Sequence, residues 1–442
     1  MTEIHFYRGL RTIGGTVIEI ATDSARCLFD FGSAGLDAWQ RPVNPRPDKR
    51  VYDALRTGAL PAIDGIYDHT DLCDLPLDPY DEDAKRPVFF LISHVHIDHI
   101  GSLDYLDESI PVYMTRKSLR IYQTLCELGD FEYRPHRNCV ALDDGDWVTV
   151  GDIRFRALPV DHDIPGACGF EIVTPDGRIA YTGDFRLHGF DRADSLDFVR
   201  AVQGADLCIS EGVTVSFIED FDAVIPTDEL SERSNSEARI LTEIGAAAGL
   251  APGLVFLNVY PRNLERLRRL PELLRQHDRE MVWEPDTAFL LESCCGLRDL
   301  SVYTPFEKGE RSRDRRYITR EILQSDPGRY VLQLSLDNLL ETLDFSGCNP
   351  LYLHANGVPL GDYDPAYRQL LDFLEMQNIP FLTLGCGGHA EPANLKFLLE
   401  TIAPRYLVPL HSLTPEKIKI RGSQQILPPE NSVYKLENGK LI

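Results

Sequence analysis

Residues 88–101 of the sequence, VFFLISHVHIDHIG, join an apolar run to a dense group of potential metal ligands. The apolar run predicts a buried strand, and His94, His96, Asp98 and His99 follow it at once. Histidine is rare enough that this density indicates a site, the alternative being a polar turn with incidental histidines. Alternate side chains of an extended segment point the same way, so His94 and His96 can share one cation while Asp98 and His99 turn toward a second.

Two adjacent cations would give this segment a hydrolytic chemistry. Metal ions roughly 3.5–4 Å apart can activate a water molecule and stabilise the attacking and leaving oxygens of a displacement. Imidazole and carboxylate ligands without thiolate suit Zn²⁺, with Mn²⁺ as the other candidate. The sequence therefore predicts a site for two divalent metal ions, Zn²⁺ in the first place. Four ligands are too few for two ions, so others must come from elsewhere in the chain.

The motif HVHIDHIG resembles the metal-binding sequence of the metallo-β-lactamase fold. In that fold the later ligands are a histidine after a strand, an aspartate in a T/S-G-D turn and a histidine near the end. This chain has His162 in LPVDHDIPGACGF, Asp184 in IAYTGDFRLHG and His411 in YLVPLHS. The resemblance implies a working enzyme with one metal on His94, His96 and His162, another on Asp98, His99 and His411, and Asp184 bridging them.

A second resemblance covers residues 385–412, GCGGHAEPANLKFLLETIAPRYLVPLHS. This stretch is similar to the carboxy-terminal part of β-CASP nucleases, and most similar to ribonuclease J. Between His389 and His411 the pattern predicts a helix, with Pro392 in its first turn and apolar residues at i, i+3, i+4 and i+7, which are Leu395, Leu398, Leu399 and Ile402. Both histidines can therefore return to one site.

The β-CASP resemblance also implies catalytic roles for Asp98, His389 and Glu211, the last in ADLCISEGVTV. His389 would stabilise the scissile phosphate or protonate the leaving oxygen, which suits imidazole near neutral pH. The alternatives are a histidine that only holds its own loop and a glutamate that only buttresses the site. His188, four residues beyond Asp184, is not assigned to the site.

Together these resemblances imply an α/β fold, namely a metallo-β-lactamase αββα sandwich with an inserted β-CASP-like α/β domain. No assigned metal ligand lies between Glu211 and Gly385. We therefore predict a first part of the sandwich at 1–210, an insertion at 211–384 and a closing part at 385–442. The remaining patterns predict a hairpin from 14–22 and 25–33, helices at 234–250 and 262–276, and strands at 253–260, 281–286, 329–335 and 350–356. Asp30, in that hairpin, is a candidate for orienting a metal-binding histidine, the alternative being a turn carboxylate.

Charge argues against diffuse attraction to nucleic acid, because the 442-residue chain has a formal net charge of -24. Residues 261–320 are the exception, with nearly equal numbers of basic and acidic residues. This segment predicts either a basic face or solvated helix surfaces with paired charges. Its arginines include Arg262, Arg266, Arg268, Arg269, Arg311, Arg313, Arg315 and Arg316.

Compartment and partners follow from weaker signals. No apolar run long enough to span a membrane occurs, residues 1–20 do not resemble a signal peptide, and ten cysteines follow no C-x-x-C spacing. We expect reduced thiols, a cytoplasmic location and no membrane association, with the oligomeric state open.

The insertion differs from ribonuclease J in its phosphate-contacting loops. Where that family has serine- and glycine-rich loops, this chain has LQLSLDNLLETL and LHANGVPLGDYD. We therefore do not expect a pocket for a 5′-monophosphate.

Three functions are compatible with the sequence. The first is a two-metal hydrolase that cleaves phosphodiester bonds of RNA or single-stranded DNA. The second is a small-molecule hydrolase of the same fold, acting on an ester, lactone, thioester or cyclic phosphodiester, which suits the acidic charge better. The third is a non-catalytic binding subunit, which the full ligand set disfavours. Cleavage polarity, metal identity and the biological substrate are not determined by the sequence.

Overall fold

The computed structural model of the protein describes residues 1–33, 46–129, 135–230, 235–306 and 314–442. Its strands are β1 (Thr2–Arg8), β2 (Val17–Ala21), β3 (Arg26–Phe29), β4 (Val88–Leu91), β5 (Val112–Thr115), β6 (Cys139–Leu142), β7 (Val148–Val150), β8 (Ile153–Pro159), β9 (Cys168–Thr174), β10 (Gly177–Tyr181), β11 (Leu207–Ser210), β12 (Val255–Val259), β13 (Glu280–Trp283), β14 (Ser301–Tyr303), β15 (Arg316–Ile318), β16 (Tyr330–Gln333), β17 (Leu351–Ala355), β18 (Phe381–Thr383), β19 (Tyr406–Pro409), β20 (Gln424–Gln425), β21 (Ser432–Glu437) and β22 (Lys440–Leu441). Its α-helices are α1 (Arg50–Thr57), α2 (His69–Leu72), α3 (Ile97–Ile100), α4 (Arg116–Leu128), α5 (Arg192–Ala201), α6 (Glu237–Leu250), α7 (Leu264–Leu267), α8 (Leu270–Arg275), α9 (Pro285–Cys295), α10 (Arg320–Ser325), α11 (Pro365–Met376) and α12 (Pro392–Ile402).

Two mixed sheets form the sandwich. The first has the order β22-β21-β1-β2-β3-β4-β5-β6, and the second has the order β20-β19-β11-β10-β9-β8-β7. Apolar side chains from both sheets pack between them, among them Ile18, Phe89, Phe155 and Val408, all of which are buried. Strands with two buried faces read as continuous apolar runs, which is the pattern of β4 and β11.

Helices cover the outer faces of both sheets. α4 lies against β5 and β6 of the first sheet, while α5 and α12 pack together on the second. The buried residues of α12 include Leu395, Leu398, Leu399 and Ile402, as the spacing predicts. Layers of helix, sheet, sheet and helix result, so the predicted αββα sandwich is confirmed.

A third sheet has the order β15-β14-β13-β16-β12-β17-β18, and all of its neighbouring strands run parallel to one another. The predicted hairpin, the helix at 234–250 and the four strands of this region are confirmed. The single helix predicted at 262–276 is wrong, because that segment forms the two short helices α7 and α8. Pro271 has no amide hydrogen and cannot continue the hydrogen bonding of a preceding turn.

Two further expectations concern the thiols and the membrane. All ten cysteines are free, in agreement with the predicted reduced thiols. Among the described residues, no helix is both long and apolar enough to cross a membrane.

Candidate metal centre

The candidate site residues follow strands that end at one edge of the sandwich. β3 runs parallel to β4, and β10, β11 and β19 run parallel to one another, so their carboxyl ends meet. β8 and β10 are both antiparallel to β9 and therefore also end on the same side. The residues that follow these strand ends are Asp30, His94, His162, Asp184, Glu211 and His411.

His94, His96 and His162 form a first group of ligand atoms. The Nδ1 atom of His96 lies 3.2 Å from the Nε2 atom of His94 and 3.2 Å from the Nε2 atom of His162. The three nitrogens lie within 4.8 Å of one another. Nδ1 of His162 donates a hydrogen bond to the carbonyl of Gly388 at 2.6 Å, which leaves Nε2 free to bind a cation.

Asp98, His99, Asp184 and His411 form a second group. Nε2 of His99 lies 3.2 Å from Oδ2 of Asp184, and Nε2 of His411 lies 3.4 Å from Oδ2 of Asp98. Oδ2 of Asp184 also lies 3.6 Å from Nε2 of His94. Asp184 therefore faces both groups, which is the position that a bridging carboxylate requires.

The hydrogen bonds of these histidines indicate that a cation belongs between them. A neutral imidazole has one N–H donor and one lone pair. Nδ1 of His99 donates to Asp30 at 2.8 Å and Nδ1 of His411 donates to Asp184 at 3.0 Å, so their Nε2 atoms face the other carboxylates. Those Nε2 atoms are buried and have no hydrogen-bond partner among the described residues. A divalent cation in this position would take the place of the protons that these Nε2 atoms otherwise hold toward the carboxylates.

The electrostatics of the second group lead to the same inference. In the first group, by contrast, burial lowers the pKa of His96 to about 3. Burial also opposes charge on His411, but the carboxylates of Asp184 and Asp98 outweigh it and raise its pKa to about 10. The pKa of His99 is raised in the same way, and in return these two imidazoles hold the pKa of Asp184 well below its ordinary value despite burial. The second group thus attracts positive charge strongly.

Asp30 fixes the loop that carries the ligands. Its carboxylate accepts hydrogen bonds from the Ser93 amide at 2.8 Å and the Ser93 hydroxyl at 2.9 Å, in addition to the one from His99. Asp30 and His411 have positive φ angles of 51°, a conformation that costs energy for residues other than glycine and is held by the surrounding contacts. A Cβ on Gly32 would lie 1.5 Å from the carbonyl oxygen of Asp98, so only glycine fits beside α3. The hydrogen bond from His99 to Asp30 therefore supports the predicted orienting role of Asp30.

His389 and Glu211 lie beside the second group. Nδ1 of His389 is 3.4 Å from Oε1 of Glu211 and 3.7 Å from Oδ2 of Asp184, and it has no hydrogen-bond partner among the described residues. Glu211 accepts from the amides of Val213 at 3.1 Å and Phe185 at 3.4 Å, which fix its carboxylate. Burial opposes charge on His389, but the carboxylates of Glu211 and Asp184 raise its pKa overall. Glu211 thus lies in contact with His389, and its catalytic role stays a prediction.

A buried ion-pair network that the sequence did not reveal holds the His389 loop. Arg186 donates to the carbonyl of Gly387 at 2.8 Å and to Oε1 of Glu237, the first residue of α6, at 3.2 Å. Arg266 donates from Nε to Oε2 of Glu237 at 2.7 Å. His188 also donates to the Gly387 carbonyl, at 2.7 Å, which gives it a structural contact. The spacing of residues along the sequence does not reveal such ion pairs, because their members are far apart in the chain.

Arginines of the predicted basic face are paired with acids. Arg266 is buried against Glu237, and Arg262 donates to the carbonyl of Val95 at 2.9 Å. The other described members form four ion pairs, which are Arg268–Glu265, Arg269–Glu265, Arg315–Glu292 and Arg316–Glu280. Arg311 and Arg313 lie outside the described residues. Of the two alternatives, the described arginines therefore support paired charges.

The loop after β16 already has an anionic partner. The carboxylate of Glu284 accepts from the Ser335 amide at 2.8 Å, the Ser335 hydroxyl at 2.9 Å and Nδ2 of Asn338 at 2.9 Å. A cleft next to Gly385 is lined by Asp362 together with neutral residues. In the described part of the chain, Glu284 thus occupies donors of this loop, and whether a 5′-monophosphate binds here stays a prediction.

Comparisons with known proteins agree with this architecture. A β-lactamase superfamily domain profile matches residues 63–220. Ribonuclease J of Mycoplasma pneumoniae is 26% identical over 346 residues, which cover 74% of this chain and 58% of that protein. Ribonuclease J of Thermus thermophilus is 24% identical over 380 residues, which cover 79% of this chain and 62% of that protein. The chain thus spans about three fifths of the length of these relatives.

One solved structure is similar over nearly its whole length. It is the crystal structure of a protein of unknown function from Enterococcus faecalis V583. The two chains are 31% identical, with a TM-score of 0.82, and the match covers 98% of this chain and 99% of the other.

Proposed function

We propose that this chain is a metal-dependent hydrolase of RNA phosphodiester bonds. It has the metallo-β-lactamase fold and belongs to one family with the Enterococcus faecalis protein. Single-stranded DNA is a second substrate of the same chemistry. The observation that carries the proposal is the position of His389, whose unpartnered Nδ1 lies beside Glu211 and Asp184 at the edge of the ligand groups. The similarity to ribonuclease J supports RNA as the substrate class.

The residues present fit two divalent cations, Zn²⁺ in the first place. His94, His96 and His162 would hold one, Asp98, His99 and His411 the other, and Asp184 would contact both. When bound, such a pair supplies a nucleophile from water at neutral pH and neutralises charge on a phosphoryl group. Imidazole and carboxylate donors without thiolate suit Zn²⁺ and Mn²⁺.

The residues of the chain supply the proton chemistry. His389 would hold a proton at Nδ1 and deliver it to the leaving oxygen, because that nitrogen faces the ligand groups rather than its own loop. Glu211, fixed by two backbone amides, would keep the imidazole oriented and charged. Gly387 and Gly388 let the backbone of this loop approach the site closely.

We further propose that residues 211–384 form the inserted β-CASP-like domain between sandwich segments 1–210 and 385–442. All seven strands of the third sheet lie between Val255 and Thr383. β11, which precedes this region, pairs directly with β19, which follows it. Nucleic acid would then lie between the third sheet and the metal centre, where Tyr260 contacts the ring of His96.

A substrate panel tests the proposal. Metal-analysed protein is incubated with labelled RNA and single-stranded DNA oligonucleotides, and with an ester, a lactone and a small cyclic phosphodiester. We expect cleavage of RNA that chelation abolishes and that a His99→Ala preparation lacks, which excludes a contaminating nuclease. If oligonucleotides stay intact under every metal condition while an ester or lactone is hydrolysed, the small-molecule alternative replaces this proposal. The paired arginines and the net charge of -24 are the features that favour that alternative.

A further inference from the structure

Asp163 is an acidic residue at the metal centre that the sequence motifs did not single out. It follows His162 directly, and its Oδ1 atom lies 3.4 Å from Nε2 of His96 and 3.3 Å from Nε2 of His162. Oδ1 of Asp163 and Nε2 of His96 are both buried, and neither has a hydrogen-bond partner among the described residues. Two complementary polar atoms therefore face each other unpaired.

The tautomer of His96 explains this pair. Its Nδ1 atom is the one that faces His94 and His162, at 3.2 Å from each Nε2. A cation on Nδ1 leaves the proton on Nε2, which then becomes an N–H donor 3.4 Å from Oδ1 of Asp163. A buried donor without an acceptor is unfavourable, so an acceptor at this position matters.

We propose that Asp163 accepts a hydrogen bond from the Nε2–H group of His96 and thereby holds its Nδ1 toward the first metal position. This inference rests on the metal site of the proposed function. Asp30 makes the equivalent contact for the second position, since it accepts from Nδ1 of His99 at 2.8 Å. Each metal position thus has one histidine that is oriented by a carboxylate, a common arrangement at metal sites in proteins.

The surroundings keep Asp163 in this role. A Cβ on Gly388 would lie 3.0 Å from Oδ1 of Asp163 and 2.8 Å from Cε1 of His162, so the glycine loop closes directly over both side chains. The close group of three nitrogens does not include an oxygen of Asp163. In this proposal Asp163 is a positioning residue that acts through His96, and the spectrum of the cobalt-substituted protein distinguishes this role from metal ligation.

Metal affinity tests the proposal without reference to catalysis. Zinc titration of the full chain against a competing chelator should show that Asp163→Ala weakens one of two sites by ~10–100-fold, the usual effect of removing such a partner. Asp163→Asn keeps an oxygen acceptor and should retain affinity within a few fold of the original. The exposed Asp191→Ala serves as the matched control and should not alter either site.

The absorption spectrum of the cobalt-substituted protein separates positioning from ligation. Because a positioning residue leaves the ligand set intact, Asp163→Asn should keep the visible bands of the original protein. A change in these bands would make Asp163 a ligand and overturn the proposal, as would unchanged zinc affinity in Asp163→Ala. If the unsubstituted chain bound no metal at all, the proposed metal-dependent function would itself be wrong. That result differs from a change in the cobalt bands and from unchanged zinc affinity in Asp163→Ala.

Discussion

Removing the charge of Glu237 should destabilise the protein by about 3 kcal/mol at pH 7. The carboxylate is fully buried, and it accepts from Nε of Arg266 at 2.7 Å, Nη2 of Arg266 at 2.9 Å, Nδ2 of Asn263 at 3.0 Å and Nη2 of Arg186 at 3.2 Å. Burial opposes its charge, but the two guanidinium groups lower its pKa from 4.5 to about 2. That difference corresponds to about 3 kcal/mol, and breaking a buried pair typically costs about 3–5 kcal/mol.

The change Glu237→Gln keeps the shape of the side chain and leaves two buried guanidinium groups without its charge. Urea denaturation, followed by circular dichroism in the presence of a chelator so that metal release does not contribute, measures the free energy of unfolding. The pKa of Glu237 is lowered in the folded state, so its stabilisation is complete above pH 4.5 and disappears as the pH falls toward about 2. The difference between original and variant should therefore shrink below pH 4.5.

The exposed pair Arg239–Glu243 offers a matched control. Glu243→Gln should change the free energy of unfolding by less than about 1 kcal/mol, because an exposed ion pair contributes little. A difference below about 1 kcal/mol for Glu237→Gln at pH 7, or one that does not vary between pH 7 and pH 3, would refute the electrostatic reasoning.

Three further outcomes are expected. Asp184→Ala should lose metal at both positions and lose activity, as elemental analysis after gel filtration would report, whereas full metal content with full activity would refute the bridging position. His389→Ala should keep its metals and lose turnover by ~10²–10⁴, with His277→Ala as control, and loss of a metal would instead make His389 a ligand. Oligonucleotides with a 5′-monophosphate and a 5′-hydroxyl should be cleaved at similar rates, because Glu284 occupies the donors of the loop after β16, and a strong preference for the monophosphate would contradict that.

Short-range patterns determined the metal-binding motif and the elements that carry it. The run of residues 88–101 predicts a buried strand followed by four ligands. β4 ends at Leu91, and Asp98 and His99 lie in the single helical turn of α3, which begins at Ile97. The helix between His389 and His411 likewise follows from the spacing of its leucines. In these stretches, the residues that set the local conformation are also the ones that are buried, so sequence spacing is sufficient. The break at Pro271 was missed because its apolar spacing alone still fitted one helix.

Only the tertiary structure decided which charged side chains meet. Arg266 appeared to belong to a basic surface but is buried against Glu237, 29 residues earlier in the chain. Asp163 and Nε2 of His96 face each other across 67 positions because β4 and β8 end at the same edge of two facing sheets. The partner of a charge is set by the order and direction of strands, and this order depends on long-range packing that residue spacing does not encode.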